Sequence, residues 1–193
     1  MGVISNTTTK NCIIAIWEIT ETLEELLQLS NTISTADFNT EKRKKEWLAS
    51  RLLLNKINPS HSISYNAFGA PGLSNGSFIS ISHSKGLVAI IISQQKVGLD
   101  IEEISEKALR ISSKFVSKNN LKALTAEKAT LIWCCKEAVF KWYQKGEVDF
   151  IADIKLHPFE SMEKGEIRAE FRNTQLILNY QKIHNHYLVY VCK

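Results

Sequence analysis

FISISHSKGLVAIIISQQKVGLDIE, residues 78–102, is the stretch on which the reading of the fold turns. Three β-like runs lie in it, Phe78–Ser82, Leu87–Ser93 and Val97–Glu102, separated by Lys85-Gly86 and by Gln94-Gln95-Lys96. They predict an antiparallel meander. On its amino-terminal side, residues 11–19 read as a strand and Glu21–Leu29 as a short helix, with a connecting loop over 30–40. Trp47, Leu48, Leu52, Leu53 and Ile57 recur at helical spacing between Thr40 and Ile57, and Pro59 ends the pattern. The turn formers between Phe68 and Ser77 mark a loop.

On the carboxyl-terminal side, residues 106–114 and 117–124 read as short helices, and Ala126 to Gln144 as a long one without internal Gly or Pro. Ile154–Glu160, Ile167–Arg172, Gln175–Gln181 and Tyr187–Cys192 then read as strands, with turns at Lys164-Gly165, Asn173 and His184-Asn185. Helices followed by antiparallel strands occur twice. The expectation is an α+β fold of two similar halves, residues 1–98 and 99–193, each an antiparallel sheet with helices packed on it, in a pseudo-twofold arrangement.

With 193 residues, 44% hydrophobic and 23% charged, the chain has the composition of a globular protein. No apolar run is long enough to span a bilayer and no secretory leader pattern opens the sequence, so a cytoplasmic protein without a membrane partner is expected. Cys12, Cys134, Cys135 and Cys192 lack zinc spacing and read as reduced thiols. The net charge of +4 gathers in Lys42, Arg43, Lys44, Lys45, Arg51 and Lys56, a surface for an anionic partner. That segment lacks interleaved aromatics beyond Trp47, so no nucleic-acid partner is expected.

Asp100 and Glu102 stand two apart on a predicted strand and share a face, a pair that suits magnesium, although taken alone a solvated edge is its commoner reading. Glu137 and Lys141 are four apart on a helix, where a surface salt bridge is the ordinary reading. Ser82-His83-Ser84 offers hydrogen bonds to a phosphate or simply forms a turn. Walker, GxGxxG and Gly-x-Ser-x-Gly patterns are absent from the sequence, which removes support for nucleoside triphosphatase, dinucleotide-binding and hydrolase functions.

Together the three elements resemble the phosphopantetheinyl transferase superfamily, in its single-chain, two-half, surfactin-synthetase-activating type. Ile81-Ser82-His83-Ser84 is similar to its histidine motif, Val97-Gly98-Leu99-Asp100-Ile101-Glu102 to its G-x-D-x-E motif, and Trp133 to Lys141 to its W-x-x-K-E-A-x-x-K motif. The resemblance implies transfer of the 4′-phosphopantetheine arm of coenzyme A to a serine of an apo acyl or peptidyl carrier protein, by a monomer with a complete site. It implies magnesium on Asp100, Glu102 and Glu137, with Glu137 and Lys141 catalytic. It further implies that Ser82, His83, Arg43, Arg51 and Lys136 hold coenzyme A. Ala70 stands where the resemblance leads one to expect a lysine, and this motivates the alternative of a coenzyme A or carrier-protein binding module without transferase activity.

Overall fold

The computed structural model describes residues 2–8, 11–30, 38–59, 61–122 and 124–193. The loop expected over 30–40 therefore lies mostly outside the described residues. Two antiparallel sheets with helices on them confirm the α+β class. In the first sheet the strands run in the order β1 (Val3–Thr8), β2 (Cys12–Glu18), β6 (Leu87–Ser93), β5 (Phe78–Ser84), β4 (Pro71–Leu73) and β3 (Ile63–Tyr65). The second is ordered β7 (Val97–Glu103), β11 (His186–Cys192), β10 (Thr174–Ile183), β9 (Lys164–Phe171) and β8 (Ile154–Leu156).

The meander is therefore only two strands long. β5 and β6 form the expected hairpin, but β7 leaves β6 and pairs with β11, residue 100 opposite Val189. Val97, Leu99 and Ile101 still lie beside Leu87, Ala89 and Ile91, because the two sheets pack face to face there in one buried cluster. A three-residue link serves a hairpin and a change of sheet equally well.

The edge of β7 that has no strand neighbour is closed by serines. Ser80, Ser82 and Ser84 recur with period two on β5, and the Ser80 and Ser84 hydroxyls accept from the backbone N–H of Leu99 and Glu103, at 3.0 Å each. Backbone groups that a sheet edge leaves open are satisfied by side chains of the other sheet. On the opposite face of β5, Ile79 joins Val88, Ile90, Ala15 and Trp17 under the helix α2 (Glu41–Ile57).

Helix α1 (Leu23–Leu29) starts at a Thr22–Glu25 capping box, and α2 starts where the Thr40 hydroxyl accepts from the Arg43 N–H. The expected helix over 106–114 is α3 (Glu106–Arg110) followed by a 3₁₀ turn over Ser112–Lys114. Among the described residues of 117–124 only the 3₁₀ turn Lys118–Asn120 forms. Helix α4 (Ala126–Tyr143) begins at the Thr125 cap and ends where Gln144 turns left-handed, φ 62°. Leu131, Cys134, Cys135, Ala138 and Val139 pack it onto Ile167, Ala169, Leu178 and Val189 of the second sheet. Cys134 and Cys135 are buried in that core as unbridged thiols. No helix among the described residues is long and apolar enough to cross a membrane.

At Gly98 strand and helix backbones touch. A Cβ there would lie 2.0 Å from the Ala138 carbonyl oxygen and 2.5 Å from the Trp142 nitrogen, so only glycine permits this approach.

Candidate active site

Beyond Gly98, β7 carries Asp100 toward α4. Asp100 is buried, 3% exposed, and its Oδ1 accepts from the Ser82 hydroxyl and from the Lys141 ammonium, both at 2.7 Å. Among the described residues its buried Oδ2 has no hydrogen-bond partner. Glu102, one strand repeat further, accepts from the Trp133 indole N–H at 3.2 Å and from the Ser84 hydroxyl at 3.4 Å. Lys141 thus bonds across the sheets to Asp100 and Ser82, and the surface pair with Glu137 is not what holds it.

Three carboxylates oppose one another here. Burial raises the Glu137 carboxyl to about 7, and the charges of Asp100 and Glu102 push the same way against Lys141. Burial and then Asp100 also raise Glu102 above its ordinary value. Ionised Glu137 consequently strains the metal-free fold. The strain is absent below about 4.5, the unfolded value, and complete above about 7. Glu137→Gln should therefore melt higher than wild type in chelator at pH 8, by roughly 4–8 °C for about 2 kcal/mol at 2–4 °C each. The gain should vanish near pH 4.5, and melting curves at the two pH values check it.

The surplus of buried negative charge and the orphan Oδ2 of Asp100 fit a hard divalent cation. Among the described residues no three ligand groups already converge as a metal centre does. Magnesium needs only one or two protein carboxylates when phosphate oxygens and water complete its shell. On that requirement Asp100, Glu102 and Glu137 suffice.

Lys141 connects the carboxylates to a cleft of about 380 Å³ between α2, β5 and the end of α4, which it lines. Arg43, Arg51, His83, Lys141 and Lys145 line it, and Ala70 sits among them. The Arg43 guanidinium, donor only, lies 3.4 Å from Nε2 of His83, while Nδ1 lies 3.3 Å from a carboxylate oxygen of the buried Glu46. Nε2 accepts, therefore, and Nδ1–H donates to Glu46. Burial holds this imidazole below its ordinary pKa, outweighing Glu46. Arg51 stacks 4.3 Å over the Trp47 ring and donates to the Ser50 hydroxyl at 2.8 Å and to the Tyr65 hydroxyl.

Lys136 is not brought to this cleft. Its ammonium is buried on the other side of α4, donating to the carbonyls of Phe150 and Ile154 and tying the helix to the segment after it. Sequence reasoning missed Lys145, Tyr65 and Glu46, of which only Lys145 carried a signal, one turn beyond Lys141 on an expected helix end. Asn66 donates to the Gln144 carbonyl at 3.1 Å, which brings the loop of Ala70 beside Lys145.

Two comparisons bear on this arrangement. The sequence profile of the 4′-phosphopantetheinyl transferase superfamily matches residues 96–192, half of the chain. A curated relative, the 4′-phosphopantetheinyl transferase gsp of Aneurinibacillus migulanus, is 32% identical over 111 residues, covering 52% of this chain and 47% of that protein. The chain spans about half the length of the curated relative it matches. Because the matched half runs through both β7 and α4, the elements that carry Asp100, Glu102, Glu137 and Lys141, the chain belongs to the 4′-phosphopantetheinyl transferase superfamily.

Proposed function

We propose that the protein transfers the 4′-phosphopantetheine arm of coenzyme A to a serine of an apo acyl or peptidyl carrier protein, releasing 3′,5′-ADP. One observation carries this reading: Lys141, held by Asp100 beside the mutually repelling Glu137 and Glu102, lines a cleft that Arg43, Arg51 and Lys145 also line. Such a cleft suits a pyrophosphate ligand with a further phosphate. Magnesium, held by Asp100, Glu102 and Glu137, would supply charge neutralisation at the pyrophosphate.

The serine oxygen forms a bond to the β-phosphorus, and the bond from that phosphorus to the bridging oxygen breaks, its electron pair leaving with 3′,5′-ADP. Glu137, directly or through a water, takes the serine proton. Lys141 donates to the departing phosphate, and its tie to Asp100 fixes where its ammonium stands. His83, Arg43 and Arg51 bind the outer phosphate, with Ser82 orienting Lys141. Catalysis then rests on position and electrostatics, without a covalent enzyme intermediate.

The same reading divides the chain at residue 98 into two halves, 1–98 and 99–193, that build one site. The change of sheet between β6 and β7 supports that division. It also includes a cytoplasmic monomer with no nucleic-acid or membrane partner.

Intact-mass analysis of several apo carrier proteins, incubated with this protein, coenzyme A and magnesium, tests the reading. One phosphopantetheine should be gained per carrier, and excess chelator should stop the gain. A protein that binds coenzyme A or carrier yet leaves every carrier mass unchanged is a binding module, and the transferase reading then fails.

A further inference from the structure

A second cleft, about 520 Å³, opens between the 115–122 segment, α4 and the 151–159 segment. It is separate from the carboxylate site. Lys128, Ile132 and Lys136, spaced by four, bring one face of α4 into it, whereas Glu137 and Lys141 lie along another face. Phe115, Val116, Ile154 and Phe159 give it an apolar lining. Among the described residues, Lys122, Lys128, Lys136, Lys155 and His157 are its ionisable lining, and no carboxylate lines it.

Two of the ammonium groups have donors to spare. Lys136, 6% exposed, gives two of its three N–H bonds to the Phe150 and Ile154 carbonyls. Lys128 gives one to the Phe159 carbonyl and lies 3.4 Å over the Phe159 ring centroid. Glu160 and Asp149 act on these lysines from outside the lining. Neither fills the cleft. Burial lowers Lys128 and brings Lys136 down to about 8, so Lys136 is poorly solvated, Lys128 is partly desolvated, and both gain from an anion that enters with them.

We propose that this cleft binds an amphipathic anion, a carboxylate on an apolar chain, its head group against Lys128 and Lys136 and its chain over Ile132, Ile154 and Phe159. A cleft of this size with an apolar lining and a few convergent polar groups is the ordinary form of a small-molecule site. The spare N–H bonds suit two carboxylate oxygens. The site goes beyond the transferase reading and stands independently of it.

The probe is decanoate, below its micelle concentration, titrated calorimetrically into the whole chain with and without saturating coenzyme A. Binding of one decanoate per chain, unchanged by coenzyme A, is expected. Decan-1-ol should bind at least about tenfold more weakly, and Lys128→Met should weaken decanoate about tenfold, the effect of one charge-assisted hydrogen bond. Ile132→Glu should remove binding by placing a carboxylate under the chain. If Ile132→Glu does not fold, Lys128→Met carries the test, since Lys128 is half-exposed on the helix surface. Absence of decanoate binding, displacement by coenzyme A, equal binding of the alcohol, or an unchanged affinity in either folded variant overturns the proposal.

Discussion

Asp100→Asn is expected to fold much as wild type does and to transfer at below about one thousandth of its rate, the loss of several kcal/mol of charge stabilisation. Asparagine keeps an oxygen for the two bonds that Oδ1 accepts, from Ser82 and Lys141, and changes only the charge and the orphan atom. Its melting temperature in chelator should stay within about 4 °C of wild type. Asp100→Ala is different. It leaves the Ser82 hydroxyl and the Lys141 ammonium without their acceptor, a cost of about 1–3 kcal/mol, so it should lose stability as well as activity. A solvated edge, the ordinary reading of Asp100 from sequence, is corrected by its burial at 3% exposure. Carrier-mass turnover beside melting curves for the two variants checks the pair. Wild-type turnover in Asp100→Asn would sink the metal assignment.

Lys141→Met should lower turnover by roughly 10²–10³, the usual effect of removing one positioned donor from a reacting oxyanion. Unlike an exposed ion pair, it should also destabilise the fold by about 2–4 kcal/mol, because Asp100 would be left buried beside Glu137 and Glu102 with only Ser82 donating to it. About a quarter of the lysine side chain is exposed, 26%, which keeps the loss below that of a fully interior pair. Magnesium should raise the melting temperature of this variant more than that of wild type, since it supplies the missing positive charge. Normal turnover at saturating coenzyme A would return Lys141 to a structural role. Equal magnesium responses would show that the carboxylates do not bind the ion.

How far these positions were legible follows from which contacts are local. Glu137 and Lys141 are visible because helical spacing, the Thr125 cap and the absence of Gly or Pro fix α4 from its own residues. Asp100 and Glu102 are visible as a pair because strand alternation is local too. What they meet is not. Lys141 bonds to groups 41 and 59 positions away, and the pattern around it offered only its helical neighbour Glu137. The departure of β7 from β6 was hidden because Gln94-Gln95-Lys96 leaves the partner of the next strand open, a choice made by β11 from the far end of the chain. β4 was read as loop because Gly72 and Pro71 weigh toward turns, although Pro71–Leu73 pairs with Ile63–Tyr65, the strand β3, to which the sequence reading assigned no element. β1 was missed for its polar Ser5-Asn6-Thr7-Thr8, which suit an edge strand with little apolar face.

The contact at Gly98 gives the site a gauge. Gly98 lies two residues before Asp100, and Ala138, whose carbonyl it meets, follows Glu137 directly, so the spacing of the two carboxylates is set where main chain rests on main chain. Val139 and Ile167 pack elsewhere in the layer, in the apolar core between helix and sheet. Exchange of one aliphatic residue for another beneath the helix should accordingly leave the carboxylate spacing in place. A single methyl group at position 98 should not, since it would wedge helix from strand and open the carboxylate gap at its root.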